Sequence, residues 1–253
     1  MAMRWHVQRA LAGCAQGEFP LITANAPYKA GGRGGPEHYC DVPAGDLVLR
    51  HLADLYLFPN EIRAVSVTGA ELVGWLERSA ALFDQILPGE ADQLLINPQA
   101  AAYNFDVLYG LSYGIDLSRA PRFTPWGYPV DGQQGRIVDP LYDGRPVDPE
   151  ARFILATNSY RAAGGGAFPG AHGDNIVYEA PDRIQDILAE FLAAHQGATL
   201  AGPAPWRFCP MPGTSVLFDS GPGALNHLGE VSARRVEHVG RAPGGFLRFR
   251  LHL

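Results

Sequence analysis

Glycine and proline set the limits on what this chain can fold into. Thirty glycines and 21 prolines fall along its 253 residues, between short apolar segments rather than in one low-complexity tract. Proline removes a backbone donor and glycine opens positive φ, so each interrupts a helix or strand and favours a turn. The expected fold is one of many turns and short strands. At this length roughly three quarters of the unfolded chain's surface is buried on folding, so one large domain or two small ones can form without staples. No apolar run approaches the roughly 20 residues needed to span a bilayer, and a membrane partner is not expected.

Between these breaks the periodicity changes from segment to segment. Residues 4–13 read as a short helix, with Trp5, Val7 and Leu11 apolar and glycine at its end. Leucines at 47, 49, 52 and 55 give residues 46–57 a helix-like pattern. Residues 62–67 alternate as a strand; Thr68-Gly69-Ala70-Glu71 then has the spacing of a capping box, and Leu72, Trp75, Leu76 and Leu82 continue an apolar stripe. Residues 105–117 alternate on both sides of Gly110, and residues 136–147 carry Asp143-Gly144 between β-type flanks, so both read as hairpins. A strand over 152–157 runs into Asn158. Residues 181–195 give the clearest helix, with Ile184, Ile187, Leu188, Phe191 and Leu192 on one face and Gly197 beyond its end. From Trp206 onward the chain reads as β material broken by proline and glycine, ending in the alternating residues 246–253. Strands and helices mixed without a regular βαβ repeat indicate an α+β, or mixed α/β, domain over residues 1–253.

A net charge of -6 with scattered basic residues gives no basic face for counterion release, so long nucleic acid is not an expected partner. Cys14, Cys40 and Cys209 lie far apart, without a C-x-x-C pair or histidines at zinc-finger spacing. Residues 1–6 hold no uninterrupted apolar stretch of a secretory signal, so the protein is either cytosolic or a piece of something longer.

Three groups of residues invite a chemical reading. The glycine clusters at 31–35 (GGRGG) and 164–166 match neither the P-loop nor the dinucleotide-binding register. Turn geometry accounts for them, yet Arg33 sits inside the first, and Tyr160 and Arg161 precede the second. Glycine-lined backbone beside a ring and a guanidinium can admit a flat, polar ligand. Asn226-His227 and His172-Gly173-Asp174 are isolated fragments of a two-metal phosphohydrolase set, and no G-x-S-x-G elbow is present. Among the aromatics Tyr56, Phe58, Tyr103, Tyr160 and Phe168, core or rim packing is the ordinary role. Phe58 nevertheless precedes Pro59-Asn60, and Tyr160 precedes glycines, in loops of the kind where function concentrates.

Six ordered blocks carry a resemblance: residues 24–35 (ANAPYKAGGRGG), 41–46 (DVPAGD), 53–60 (ADLYLFPN), 65–77 (VSVTGAELVGWLE), 103–107 (YNFDV) and 157–169 (TNSYRAAGGGAFP). From about Arg4 to its end the chain resembles the C-terminal domain of bacterial 2′,3′-cyclic-nucleotide 2′-phosphodiesterase/3′-nucleotidases, in the 5′-nucleotidase family. The resemblance implies a layered sandwich of mixed sheets flanked by helices. It implies a two-domain periplasmic hydrolase, exported through a signal peptide, whose N-terminal calcineurin-like metallophosphoesterase domain holds two divalent metal ions and hydrolyses 2′,3′-cyclic nucleotides and 3′-nucleotides. This chain would then bind no metal or other cofactor, supply no catalytic residue and be inactive alone, its partners being a nucleotide or nucleoside and the N-terminal domain of the same polypeptide.

The same resemblance assigns the substrate-binding residues. The base is stacked between Tyr160 and Phe58, with Tyr56 as reserve; Asn60 contacts the base, and Arg33 reaches toward the phosphate or ribose side. Gly164, Gly165 and Gly166 let the backbone approach the base, glycine standing where some relatives carry aspartate. Missing metal motifs and a missing leader would have one explanation, an excised domain to which Met1 and Ala2 are foreign. Two rivals stand beside it: a self-standing, non-enzymatic nucleoside-binding or scaffold protein, and an intact hydrolase whose His172, Asp174 and His227 converge.

Overall fold

The computed structural model describes residues 1–43, 45–198 and 202–253, with the side chains of 232–234 excepted; Ala44, inside the 41–46 block, lies outside the described residues. The strands are β1 (Leu21–Asn25), β2 (Glu61–Thr68), β3 (Gln93–Leu94), β4 (Val107–Tyr109), β5 (Leu111–Ile115), β6 (Ile137–Tyr142), β7 (Arg145–Pro146), β8 (Arg152–Asn158), β9 (Ile176–Arg183), β10 (Trp206–Phe208), β11 (Ser215–Ser220), β12 (Val236–Arg241) and β13 (Leu247–His252). The α-helices are α1 (Ala2–Ala10), α2 (Leu49–Leu55), α3 (Gly69–Ala80), α4 (Ser159–Ala162) and α5 (Ile184–Ala194). One sheet runs β7-β6-β5-β4-β1-β8-β2-β9 with β10 beside β5, and a second runs β12-β13-β11-β3. Both are mixed: β8 is parallel to β1 and antiparallel to β2, and β11 is parallel to β3 and antiparallel to β13.

Alternation along the central strands sorts their side chains onto two faces. Ile62 and Ala64 of β2, with Ile154 and Ala156 of β8, pack against Met3 and Val7 of α1 and Ile187 and Phe191 of α5. Val65, Val67, Phe153 and Leu155 point the other way, against Leu72, Trp75 and Leu76 of α3. The result is the expected layered α/β sandwich, helices on both faces of a mixed sheet. The expected cap on α3 forms: Thr68 Oγ1 accepts from the Glu71 backbone N–H at 3.2 Å, and Glu71 Oε2 accepts from the Thr68 N–H at 2.7 Å, an arrangement that stabilises by about 1 kcal/mol. Among the described residues no helix is long and apolar enough to cross a membrane.

Three local readings change. Residues 105–117 are not a hairpin: β4 pairs with β1 and β5 with β6, and the chain kinks without reversing at Gly110, whose φ is 113°. A single glycine is too short a connection to return a strand onto its neighbour. Between β6 and β7, by contrast, Asp143 (φ 48°) and Gly144 (φ 73°) make the two-residue turn that the sequence signals. The residues before Ile184 belong to β9, so the clearest helix starts three positions later than its first proline suggests. Pro222–Arg234, read as β material, is 3-10 helix. Leu225, Leu228 and Val231 recur every third residue there, which is the pitch of that helix.

Candidate functional site

Sheet topology brings four loops to one end of the larger sheet. β1 and β8 run parallel and finish at Asn25 and Asn158, while β4 and β2 run against them and begin at Val107 and Glu61. The loop after β1 carries Tyr28 and Arg33, the loop before β2 carries Tyr56, Phe58 and Asn60, the loop before β4 carries Tyr103 to Asp106, and the turn after β8 carries Tyr160 and the glycines.

One amide fastens two of these loops to a third. The Asn158 Nδ2 group donates to the hydroxyls of Tyr28 (3.1 Å) and Tyr56 (3.0 Å), and its Oδ1 accepts from the Arg161 backbone N–H (2.8 Å), capping α4. Tyr56 hydroxyl also accepts from Asn60 Nδ2 at 3.2 Å. Burial, first among the causes, pushes both phenols up from their ordinary pKa, so they stay protonated and can serve this network at neutral pH. Edge contacts continue outward, Tyr28 meeting the Tyr56 ring at 4.9 Å and the Phe58 ring at 5.4 Å. Phe58 is therefore an exposed ring, 43% accessible, resting on the half-buried, hydrogen-bonded ring of Tyr28, which in turn meets buried Tyr56.

A buried ion pair fastens the remaining loop. Arg161 Nε and Nη2 donate to Asp106 Oδ2 (2.9 Å) and Oδ1 (3.1 Å), both residues being almost wholly buried. The remaining donors reach the carbonyls of Tyr103 (2.6 Å) and Gly165 (3.1 Å), and Trp75 Nε1–H of α3 donates to Asp106 Oδ2 at 3.0 Å. Arg78, its pKa lowered by burial and then by the nearby Arg161 charge, donates to the Gly166 carbonyl at 2.9 Å. Gly164 and Gly166 take φ values of 92° and 86°, open only to glycine at low cost. At Gly165 the demand is for space: a Cβ there would stand 2.5 Å from Tyr160 ring atoms, so this ring packs on bare backbone while remaining 53% exposed.

The residues singled out in the sequence therefore separate. Arg33, Phe58 and Tyr103 line one cleft together with Tyr28. Tyr160 and Gly164 to Gly166 do not line that cleft; they connect to it through Arg161 and the Tyr103 carbonyl. Tyr56, the reserve for the ring position, is only 2% exposed and braces the loop with its hydroxyl, so its ring offers no face to a ligand. Asn60 turns its amide nitrogen inward to Tyr56. Asn158, Asp106 and Tyr28 were not singled out by sequence reasoning, although each lies in or beside a recognised block. The available signal was an acid before an apolar strand and an arginine after an N-cap asparagine, both in segments otherwise poor in charge. His227, a member of the rival set, bonds Glu230 at 2.8 Å and lies 3.9 Å from Asp41. Among the described residues no three of His, Cys, Asp and Glu gather as a metal site.

A mixed α/β sandwich that presents aromatic and glycine-rich loops at one sheet end defines the class. The chain belongs to the 5′-nucleotidase C-terminal domain family: the family model described as "5′-nucleotidase, C-terminal domain" matches residues 2–172. It is 38% identical over 251 residues to the 2′,3′-cyclic-nucleotide 2′-phosphodiesterase/3′-nucleotidase of Haemophilus influenzae, aligning 94% of itself with 38% of that protein. It is 34% identical over 220 residues to the trifunctional nucleotide phosphoesterase protein YfkN of Bacillus subtilis, aligning 87% of itself with 15% of that protein. The chain thus spans well under half the length of these curated relatives. The crystal structure of a 5′-nucleotidase precursor from Thermus thermophilus superposes with a TM-score of 0.58 over 83% of this chain and 34% of the other, at 17% identity, showing the shared fold.

Removing one partner of the buried pair leaves the other charge uncompensated. Asp106→Ala is therefore expected to cost about 3–5 kcal/mol, read as a fall in the urea midpoint. A loss below about 1 kcal/mol, the scale of an exposed pair, would mean that water reaches Arg161.

Proposed function

We propose that this chain is the nucleoside-holding domain of a periplasmic, metal-dependent phosphohydrolase acting on 2′,3′-cyclic nucleotides and 3′-nucleotides. The observation that carries the reading is Asn158, whose single amide holds the loop bearing exposed Phe58 and the turn bearing exposed Tyr160 in one fixed relation. Two aromatic faces fixed before a ligand arrives need little ordering on binding. In this reading the base lies between Phe58 and Tyr160, Asn60 meets its edge, the backbone at Gly164 to Gly166 leaves room for it, and Arg33 pairs with the phosphate. Residues 1–253 act as one domain, preceded in the full polypeptide by a metallophosphoesterase domain. Two divalent metal ions held there would supply the activated water. This chain's own contribution is to bind and orient, and correct placement of the reacting phosphate is worth several kcal/mol of barrier.

Base stacking on an aromatic is worth roughly 1–3 kcal/mol. Phe58→Ala and Tyr160→Ala should each raise the Kd for adenosine by about 5- to 150-fold in calorimetric titrations, while Tyr160→Phe, which keeps the ring face, costs far less. Adenosine binding unchanged in both alanine variants would end the clamp reading.

Arg33→Ala should weaken 3′-AMP more than adenosine, by about 1–3 kcal/mol for a lost charge-assisted bond; an equal loss for both ligands would leave Arg33 only a loop-shaping role. The chain alone, supplied with Mn²⁺, Co²⁺ or Zn²⁺, should turn over neither 2′,3′-cyclic AMP nor 3′-AMP. Turnover abolished by His172→Ala or His227→Ala would move the chemistry into this chain.

A further inference from the structure

A cleft of about 1050 Å³ opens between the two sheets, and a nucleoside at its rim does not account for its extent. The volume lies at the upper end of cavities that hold whole small ligands. Arg33 and Phe58 stand along it, but most of its lining is hydrocarbon. One wall is an aromatic cluster, Phe83, Trp206 and Phe208, in edge contact at 5.0–5.1 Å across the Trp206–Phe208 and Phe83–Phe208 pairs. The facing wall comes from Leu217 of β11, Phe249 of β13 and Leu228 of the 3-10 segment. This second wall lies beyond residue 172, where the family match ends.

Polar base edges or ribose hydroxyls placed against those side chains would lose their hydrogen bonds to water and gain none, whereas an apolar group gains by burial there. The charges along the cleft select its other end. Asp219 is held by a two-point contact from Arg248 at 2.8 and 3.0 Å, and His227 is bonded to Glu230. Arg33 makes no ion pair among the described residues, which leaves it the cation available to an incoming anion.

We propose that the cleft binds phosphate monoesters through an apolar moiety, with the phosphate at Arg33 and the hydrocarbon between the two sheets. The inference rests on the reading of Arg33 as the anion-holding residue and adds to it the chemical class of the group that the ester carries.

The test uses n-butyl, n-hexyl and n-octyl phosphate as monomers, titrated calorimetrically into this chain. Burial of each methylene tightens binding by up to about fourfold, so octyl phosphate should bind at least ten times more tightly than butyl phosphate. Leu94→Asp, at a lining position on β3 that is 54% exposed, and Leu228→Asp should each flatten the series. Arg33→Ala should weaken every member by a similar factor. As a check that needs no charged substitution, 8-bromooctyl phosphate should quench tryptophan emission, and Trp206→Phe should remove most of that quenching. A flat series with the unsubstituted chain, binding only above the micellar concentration, a rising series untouched by both aspartates, or quenching unchanged by Trp206→Phe overturns the proposal. Adenosine titrated into the same protein separates the two readings. Adenosine binding weakened by Phe58→Ala beside a flat alkyl series removes the cleft proposal alone, and a rising alkyl series without adenosine binding removes the nucleoside reading alone.

Discussion

The buried pair of Arg161 and Asp106 is the interaction on which the loop end of the sheet depends. Taking two charges out of water costs several kcal/mol per ion, and their attraction offsets that only when the remaining donors and acceptors are also used. Here they are: the guanidinium contacts both carboxylate oxygens and two backbone carbonyls, it lies 4.4 Å from the Phe168 ring centre, and Asp106 also accepts from the Trp75 indole. The partners belong to different parts of the chain, namely α3, the loop before β4, and the turn after β8. An apolar replacement could fill the volume, but it would not fix those three segments to one another. Arg136 provides a contrast. It is buried without such a pair, donates to the carbonyls of Ala80, Phe83 and Arg119, and has its pKa pushed down to about 10 by burial.

Glycine at 164–166 follows from that arrangement. Arg161 and Arg78 each take a carbonyl from this run, at Gly165 and Gly166, so the backbone must turn its oxygens inward over a few residues. Doing so requires positive φ at Gly164 and Gly166 and leaves no room for a Cβ at Gly165 under the Tyr160 ring. The exposed ring and the buried guanidinium next to it in sequence are two outcomes of one turn. Asn158 joins the same turn to the Phe58 loop, so the two exposed aromatics inherit their placement from buried polar groups.

What was legible in the sequence was whatever is encoded locally. Thr68 and Glu71 announce a helix start because both halves of the cap lie three residues apart, and Asp143-Gly144 announces a turn because both residues tolerate positive φ. Gly110 misled because a glycine between alternating segments reads the same whether the chain reverses or kinks; the pairing of β4 with β1 decides, and that is a long-range fact. The 3-10 segment was misread as strand, because its threefold leucine and valine spacing lies among prolines and glycines that suggest broken β structure. Phe58, Tyr160 and Arg33 could be marked from their blocks, but the groups that hold them could not. Asp106 and Arg161 are 55 residues apart, and Asn158 is separated from Tyr28 by 130. No period or spacing joins such positions; only sheet order does.

The second sheet has a structural consequence for the first. Tyr39 is wedged between two glycines: a Cβ on Gly31 would strike its hydroxyl, and a Cβ on Gly221 would meet its ring at 2.8 Å and the carbonyl of Pro36 closer still. Gly31 begins the turn that carries Arg33, and Gly221 follows the last residue of β11. Hydrogen bonding from the Gly31 N–H to the His38 carbonyl, at 2.8 Å, closes the Arg33 loop on the same side. The loop is thus seated on the end of the C-terminal sheet by close approach of backbone to a single ring, a contact that only glycine at both positions permits. The guanidinium at 33 lies within the family match and the seat of its loop lies beyond it. Residues past 172 therefore take part in placing Arg33 as well as in forming the far wall of the cleft.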